Sequence, residues 1–335
     1  MDACSFHSLQ VLGRSMGITM SKAKTSALTP RKRRRIFKKE DIPLYVMASP
    51  AVIYLFIFSY LPMIGVIIAF QNFNNTGGIF GSPFVGMKNF EFLFSTTDAF
   101  VITRNTILYN LVFIIFNMII AVGLSLMLSM VRNIHAAKVI QTIYMLPYFL
   151  SYAVINIVVY AFLDRSNGLV NNIMGSLGLP DKTNWYYQIS MWPPFLTFIN
   201  AWRNVGYQTV LYLAVISGIS YDLYEAAMLD GATKFQQARY VTIPHLRFII
   251  GISIILAMAS IFRGDFGLFY VVTRNTGRIY PVTDVIDTYI FRSLTNLHNI
   301  GMSAAAGLYQ SAVGLIMVIV VNSIVRRIDA DSAMY

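Results

Sequence analysis

The sequence predicts an all-α, polytopic membrane protein with six transmembrane helices. Of its 335 residues, 56% are hydrophobic and only 12% are charged, whereas soluble domains carry about 25% charged residues. Several apolar runs of about 20 residues are long enough to cross the hydrocarbon core of a bilayer. The single cysteine, Cys4, allows no internal disulfide framework and no cysteine pair for zinc or an iron–sulfur cluster. These observations exclude an ordinary soluble enzyme.

The first element is a basic tail at residues 1–40. The chain has a net charge of +11, and ten of its 26 Lys and Arg side chains lie in this tail. The densest run, from Arg31 to Lys39, directly precedes the first apolar stretch. It is therefore predicted to bind anionic lipid headgroups at the cytoplasmic surface, and not nucleic acid. The rest of the tail is predicted to be disordered.

Six apolar stretches predict the membrane spans within a domain at 41–335. The surplus of basic residues on the side of the tail favours cytoplasmic N- and C-termini by the positive-inside rule. The outer connections are rich in Asn, Gly and aromatic residues, which offers an external docking surface at 71–100 and 265–299. The predicted spans are 44–70, 104–131, 137–163, 191–218, 247–264 and 300–325.

One cytoplasmic connection, 219–246, is predicted to be a helical hairpin. Ser220 is placed to cap its first helix. Gly231 is placed to end that helix, because glycine adopts the left-handed conformation of a C-terminal cap without steric cost. A second short helix follows, and Pro244 is predicted to end it before the fifth span. Such a compact knob at the membrane surface suits insertion into a groove on a partner.

The hairpin carries the pattern Glu-Ala-Ala-x-x-Asp-Gly-Ala at 225–232, followed by Pro244. This pattern resembles the EAA signature of binding-protein-dependent ABC importer permeases, in particular those of the carbohydrate branch. The resemblance covers about residues 41–335 and implies a type I ABC importer permease in a bacterial inner (cytoplasmic) membrane. Further segments that resemble oligosaccharide and polysaccharide permeases are 81–90, 264–270, 280–289 and 307–310.

The resemblance also implies how such a chain works. It would be a transport subunit, not an enzyme, and it would take up a glycan delivered by an external solute-binding protein. A second permease subunit would complete a heterodimer. Two cytoplasmic ATPase subunits would bind ATP and Mg, so this chain would hold no cofactor itself. The residues that would couple to the ATPase are Glu225, Ala226, Ala227, Asp230, Gly231, Ala232, Phe235 and Pro244.

Polar side chains in the fourth span form a second candidate site. They recur at intervals of three and four residues and so share one helical face. Sugars bind through hydrogen bonds and aromatic rings, and this face offers both. The alternative is an aromatic belt at the membrane interface combined with hydrogen bonds between helices. The candidate residues of this substrate path are Asn200, Arg203, Asn204, Tyr207 and Gln208 on this face, Trp202 beside them, and Asn110 of the second span.

Charged and metal-binding side chains add little further chemistry. Arg263 and Asp265, at the outer end of the fifth span, are predicted to pair with each other, the alternative being a gate or a contact with the binding protein. The four histidines lack metal-ligand spacing, so no metal site is predicted. The sequence also lacks a Gly-x-x-x-x-Gly-Lys-Ser/Thr phosphate loop. The energy source is therefore expected to be another polypeptide.

Three other interpretations compete with the importer. The hairpin would need no partner if it were a connecting loop packed against the bundle. An independent secondary transporter usually has an internal repeat or an intramembrane carboxylate relay, and neither is evident. A lipid-headgroup transferase uses a related Asp-Gly pattern, but it needs further aspartates at helical spacing, and none follows Asp230 until Asp265.

Overall fold

The computed structural model describes residues 42–180 and 182–328. Helices and turns make up this part of the chain, with one isolated antiparallel bridge between Gln71 and Phe84 and no strand among the described residues. The all-α prediction is confirmed. The predicted basic tail at 1–40 lies outside the described residues. The chain divides into two compact units, one ending at Ser59 and the other beginning at Tyr60.

The first unit contributes an apolar helix, α1, at Ile42–Leu55, which continues into the π-helical segment Phe56–Tyr60. None of the residues of α1 is buried, although Ile, Leu, Val, Met and Tyr make up much of its sequence. A helix that is apolar on all sides requires a bilayer or another subunit around it. This first helix therefore has the character of a membrane span.

The second unit begins with a 3₁₀ segment, Leu61–Phe70. Two of the helices that follow have side-chain caps: Asn133 accepts hydrogen bonds from backbone N–H groups of the helix it precedes, and Ser151 does the same. The helices are α2 at Gly78–Gly81, α3 at Lys88–Ser95, α4 at Asp98–Ser129, α5 at Ile134–Met145, α6 at Tyr152–Leu163 and α7 at Leu169–Ser176.

The remaining helices include two long ones and several short ones. The long helices are α8 and α14, and a π-helical segment, Ala238–Thr242, joins two of the others. The bounds are α8 at Trp192–Ser217, α9 at Tyr221–Leu229, α10 at Lys234–Gln237, α11 at Ile243–Ala259, α12 at Tyr280–Thr283, α13 at Ile286–Thr295 and α14 at Ile300–Ile328.

The predicted count of six spans is not confirmed. Four helical stretches are long and apolar enough to cross a membrane, namely Ile42–Phe70, Asp98–Ser129, Lys234–Ala259 and Ile300–Ser323. A bent pair, Ile134–Phe149 with Tyr152–Leu163, raises the number to five if it is one span. Helix α8 has 26 residues and would reach about 39 Å at 1.5 Å per residue. It is long enough, but its polar face lowers its hydropathy.

The predicted third span is sharply broken. Helices α5 and α6 meet at an angle of 96°. Between them, Leu146–Phe149 forms a 3₁₀ turn that contains Pro147, and Ser151 starts the new helix by accepting a hydrogen bond from the Val154 N–H. Proline cannot continue the α-helical hydrogen bonds, so the break has a local cause. The bend brings the start of α6 against α8.

The prediction that Pro244 ends a helix is wrong. Lys234–Ala259 is one continuous helical stretch, and Pro244 lies in the first turn of α11, where its missing N–H is tolerated. The π-helical segment before it accommodates the proline: the Ile243 N–H donates to the Ala238 carbonyl, five residues back. The second arm of the hairpin is therefore continuous with the membrane helix.

The core of the second unit forms around the pair of long helices α4 and α8, which pack along each other. Apolar side chains from α4, α6, α8 and 268–285 fill one cluster, in which the Tyr109 and Phe269 rings meet edge to face at 4.7 Å. Helix α8 also packs against α5 through Gly206. A Cβ atom added there would lie 2.2 Å from the Tyr144 carbonyl oxygen, so only glycine fits.

Candidate functional site: a helical hairpin and a polar cavity

The first candidate site is the hairpin formed by α9 and α10. Ser220 caps α9 by accepting a hydrogen bond from the Asp222 N–H at 3.3 Å. Asp222 lies in the first turn, where a negative charge is favoured by the helix dipole. The cap at Ser220 agrees with the sequence prediction. The local sequence therefore fixes where this arm begins.

The turn of the hairpin is a Schellman motif centred on Gly231. The Ala232 N–H donates to the Ala227 carbonyl at 2.9 Å, and the Gly231 N–H donates to the Met228 carbonyl at 3.0 Å. This arrangement requires a left-handed residue at position 231, and Gly231 has a φ of +77°. A Cβ atom at this position would meet nothing within 4 Å. Backbone conformation, not space, therefore selects glycine.

The second arm begins with a capping box. The Thr233 hydroxyl accepts from the Gln236 N–H at 3.3 Å, and the Gln236 side chain accepts from the Thr233 N–H at 2.7 Å. Gln237 is buried, and its side chain donates to the Ala232 carbonyl at 3.0 Å. The turn between the two arms is therefore held on both sides by hydrogen bonds.

The two arms are tied together away from the turn. The hydroxyl oxygens of Tyr224, on α9, and Thr242, at the base of α11, lie 2.9 Å apart within hydrogen-bonding distance. Thr242 is buried. Sequence reasoning did not single out either residue for this bond, because nothing in a spacing of 18 residues predicts it. The bond ties α9 to the start of α11.

The residues predicted to couple to an ATPase lie in this hairpin except Pro244, which is in α11, and their exposure differs. Glu225, Ala226, Asp230 and Phe235 are exposed, whereas Ala227 and Ala232 are half-buried at the turn. The surface also carries large apolar side chains: Leu229 is 89% exposed and Phe235 is 72% exposed. An exposed apolar surface of this kind is typical of a protein contact.

The second candidate site is a polar cavity of about 350 Å³ between α4, α8 and α11. This volume is in the range of small-molecule sites. Asparagine, glutamine, serine and tyrosine side chains contribute most of its polar groups. Its lining residues are Asn110, Phe113, Ile114, Asn117, Met118, Asn200, Asn204, Tyr207, Gln208, Tyr212, Ser253, Ile254, Ala257, Ser260, Arg263, Gly264 and Asp265.

Five of the seven residues predicted for a substrate path line this cavity, and two do not. The lining five are Asn110, Asn200, Asn204, Tyr207 and Gln208. Trp202 is 41% exposed and lies on another face of α8. Arg203 points toward α6: its guanidinium lies 4.4 Å from the centre of the Tyr152 ring and donates to the Tyr152 hydroxyl at 3.4 Å. Helical spacing groups neighbouring positions, but it does not resolve which of them faces a cavity.

Several of the same amides also join helices, as the alternative interpretation expected. Asn117 donates to the Asn200 side-chain oxygen at 2.8 Å, linking α4 to α8. Asn110 donates to the Ile261 carbonyl at 2.8 Å, linking α4 to the residues that directly follow α11. These amides therefore fix the walls of the cavity while still lining it. The ring of Tyr207 stacks on that of Tyr148 at 5.0 Å.

The expected pair between Arg263 and Asp265 is not present. Asp265 instead accepts a short hydrogen bond from the Tyr152 hydroxyl and a second one from the Leu268 N–H at 3.3 Å. Both charged residues line the cavity, and sequence reasoning did not place them there. Ser253 and Ala257, which lie four residues apart on one face of α11, were the available signal for this wall.

The segment that follows the cavity residues in sequence is folded and not an open loop. Asp284 and Arg292 form an ion pair at 2.6 Å, in which both side chains are largely buried. Burial acts to lower the pKa of Arg292, but its hydrogen bonds with Asp284 and the charge of that carboxylate offset this and raise the pKa. Asn105 of α4 donates to the Asp284 carbonyl at 2.9 Å. This segment is therefore anchored to the membrane helices.

The described residues do not place three or more His, Cys, Asp or Glu side chains together in a way that could hold a metal ion. The hairpin offers an apolar surface with three exposed carboxylates, those of Asp222, Glu225 and Asp230. The cavity offers amides, hydroxyls and two charges.

Comparison with known proteins gives a consistent assignment. Residues 136–330 match the family described as binding-protein-dependent transport system inner membrane component. The polygalacturonan/rhamnogalacturonan transport system permease protein YteP of Bacillus subtilis is 32% identical over 303 residues, which are 90% of this chain and 93% of that protein.

Solved structures agree with this match. A chain of a bacterial ABC transporter involved in the import of the acidic polysaccharide alginate has a TM-score of 0.78 and 30% identity, over 87% of this chain and 97% of that chain. The alginate transporter in complex with an alginate pentasaccharide-bound periplasmic protein contains a chain with a TM-score of 0.77, also at 30% identity, over 87% of this chain and 96% of that one.

Proposed function

The chain belongs to the inner membrane components of binding-protein-dependent transport systems, and we propose that it is the permease that imports an oligo- or polysaccharide delivered by an external binding protein. Transport is driven by ATP, which separate cytoplasmic subunits hydrolyse with Mg. The polar cavity is the observation that carries the proposal. Its amides and hydroxyls suit the many hydroxyl groups of a sugar.

The names of the relatives support the saccharide class. YteP is a permease for polygalacturonan and rhamnogalacturonan, and the structural neighbours import alginate. In this proposal, the sugar contacts the lining residues Asn110, Asn200, Asn204, Tyr207 and Gln208. Trp202 and Arg203 act from outside the cavity, Arg203 by holding the bend between α5 and α6 against α8.

The hairpin is proposed as the coupling element. Its exposed apolar side chains and Glu225 contact the ATPase, and Gly231 holds the two arms at a fixed angle. Because the second arm is continuous with α11, a displacement of the hairpin moves a wall of the cavity directly. Ala226, Ala227, Asp230, Ala232, Phe235 and Pro244 complete this element. ATP binding thereby favours one of two states of the membrane helices.

The remaining subunits and the orientation follow from the same proposal. A second, different permease completes a heterodimer, and the binding protein docks on 71–100 and 265–299. The chain has a tail at 1–40 and a permease domain at 41–335. The permease domain crosses the bacterial inner membrane several times, and both termini lie in the cytoplasm. The exposed apolar surface of α1 suits contact with lipid or the second permease.

Co-purification tests the partner assignment. The chain is expressed with the ATPase and permease encoded beside it, as wild type and as Gly231→Pro. We expect the ATPase to accompany the wild type and to be lost from the variant, because proline cannot adopt a φ of +77°. A monodisperse chromatographic profile shows that the variant is folded. If the wild type retains no ATPase under any condition, the proposed function is wrong.

A further inference from the structure

The charged side chains of the cavity bear on whether it binds a charged or an uncharged saccharide. Of the residues that line the cavity, Arg263 has the one basic side chain and Asp265 the one acidic side chain. They lie at its outer end, just after the last turn of α11. An uncharged sugar needs neither of them, since amides and hydroxyls suffice for its hydroxyl groups. What each charge does within the protein therefore decides what the cavity can bind.

The carboxylate of Asp265 is already engaged by the protein. It accepts hydrogen bonds from the Tyr152 hydroxyl and the Leu268 N–H. Arg203 lies over the Tyr152 ring and donates to the same hydroxyl at 3.4 Å. These contacts hold the carboxylate of Asp265 next to α6, where the positive charge of Arg203 compensates its negative charge. Asp265 is therefore a fixed part of the wall.

Arg263 has no such partner. Its side chain is exposed toward the cavity, and within 42–180 and 182–328 it forms neither a hydrogen bond nor an ion pair. The positive charge of Arg263 acts on the carboxylate of Asp287. One oxygen of Asp287 already accepts from the Gly264 N–H at 2.5 Å and from Gln310 at 3.0 Å. The guanidinium of Arg263 keeps its donors available to a ligand.

We propose that Arg263 binds a carboxylate of the transported saccharide, and that the substrate is therefore a uronate-containing chain. A guanidinium presents paired N–H donors in a plane that matches a carboxylate. The neighbouring amides and hydroxyls of α4, α8 and α11 bind the sugar hydroxyls around it. This inference rests on the proposed function and specifies its substrate.

The test compares two ligands and four proteins in the whole importer. Oligouronides of three to five residues, from the galacturonate and mannuronate series, are each prepared as the free acid and as the uncharged methyl ester. The complex is assembled with the wild-type chain or with one of three variants, Arg263→Gln, Arg263→Lys and Arg247→Gln. Arg247 is an exposed arginine of α11 outside the cavity, so it controls for the loss of one positive charge.

The readout is the half-saturating concentration for uptake and for stimulation of ATP hydrolysis. For each protein, the half-saturating concentration of the ester is divided by that of the acid. The binding protein is the same in every assay, so its own preference cancels when the ratios of two permeases are compared. Hydrogen bonds to charged groups predict a fall in this ratio of about tenfold or more for Arg263→Gln. We expect the ratio to fall less for Arg263→Lys and to stay at the wild-type value for Arg247→Gln.

The outcomes separate this inference from the function on which it rests. If Arg263→Gln keeps the wild-type preference for the acid, or if the wild-type complex transports both forms equally, then Arg263 does not bind a carboxylate, and the importer assignment stands. If neither form is transported or stimulates ATP hydrolysis while a neutral oligosaccharide does, the uronate assignment alone is wrong. If no saccharide acts, the proposed function fails as well.

Discussion

The Ala232 N–H donates to the carbonyl of Ala227 at 2.9 Å, and this bond closes the first arm of the hairpin around Gly231. Ala227 and Ala232 occupy the two positions between which a Schellman motif commonly places an apolar contact. Ala227, the second alanine of the Glu-Ala-Ala pattern, is therefore part of the turn itself. Glu225, which is exposed, is left for the partner.

The first prediction concerns the conformation of Gly231. Asparagine tolerates the left-handed region, whereas a β-branched residue does not. Because a side chain at this position meets no neighbour within 4 Å, Gly231→Asn is expected to keep most of the saccharide-stimulated ATPase activity of the complex. Gly231→Val is expected to lose most of it. Equal activity of the two variants would show that the turn conformation does not matter for coupling.

The second prediction concerns the bond between the arms. Tyr224→Phe and Thr242→Val each remove one hydroxyl of the pair that lies 2.9 Å apart. A double-mutant cycle on thermal unfolding is expected to give a coupling energy of about 0.5–1.5 kcal/mol. We also expect Tyr224→Phe to lower transport per ATP hydrolysed, since the first arm then moves independently of α11. Additive effects of the two substitutions would contradict this bond.

The third prediction uses two glycines in helices as a matched pair. Gly206→Ala brings a Cβ atom to 2.2 Å from the Tyr144 carbonyl oxygen, whereas Gly123→Ala meets nothing within 4 Å. The first substitution is expected to destabilise the protein by several kcal/mol, at or above the roughly 1–3 kcal/mol typical of overpacking. The second is expected to be neutral or to stabilise by about 0.5–1 kcal/mol. Melting temperatures in detergent measure both, and similar values would refute the close packing of α5 on α8.

The fourth prediction concerns the largely buried ion pair of Arg292 and Asp284. Arg292→Met leaves the carboxylate of Asp284 without its partner, which costs about 3–5 kcal/mol in buried pairs. Arg278→Met removes an exposed arginine nearby and is expected to change stability by less than about 0.5 kcal/mol. Unfolding of the two variants by heat in the same detergent provides the comparison. A melting temperature of Arg292→Met equal to that of the wild type would rule out a stabilising role for the pair.

The fifth prediction is a dependence on pH. Burial raises the pKa of Asp287 above its ordinary value of 3.8, although the Gly264 N–H, Gln310 and the charge of Arg263 act in the opposite direction. The folded protein therefore holds this proton more tightly than the unfolded chain. The stabilising contribution is complete below pH 3.8 and is lost as the pH rises through the higher, folded pKa. Asp287→Asn is expected to remove this part of the pH dependence of the melting temperature, and an unchanged profile would refute the assignment.

Much of the fold was predictable from local patterns. The caps at Ser220 and Gly231 follow from residue type alone, and the apolar runs gave helices close to the predicted spans. The break between α5 and α6 and the continuous helix through Pro244 were not predictable, because proline acts differently in a turn and in the first turn of a helix. The local hydrogen bonds around each proline, which residue type alone does not reveal, decided each case.

The site was predicted less completely than the fold. Spacing on one helix identified the face of α8 that carries Asn200, Asn204 and Gln208. It did not reveal that Arg203 faces α6, or that Arg263 and Asp265 reach the cavity from a different segment. Such relationships join residues far apart in sequence, and a single sequence contains no periodic signal for them.

The central claim is that this chain imports a saccharide with energy from ATP bound by other subunits. The most direct test is uptake of an oligosaccharide into proteoliposomes that contain the purified complex, with the binding protein outside and ATP inside. We predict uptake that requires both ATP and the ATPase subunits, that stops with a non-hydrolysable ATP analogue, and that persists after an ionophore removes ion gradients. Uptake by this chain without ATPase subunits, driven by an ion gradient, would contradict the account.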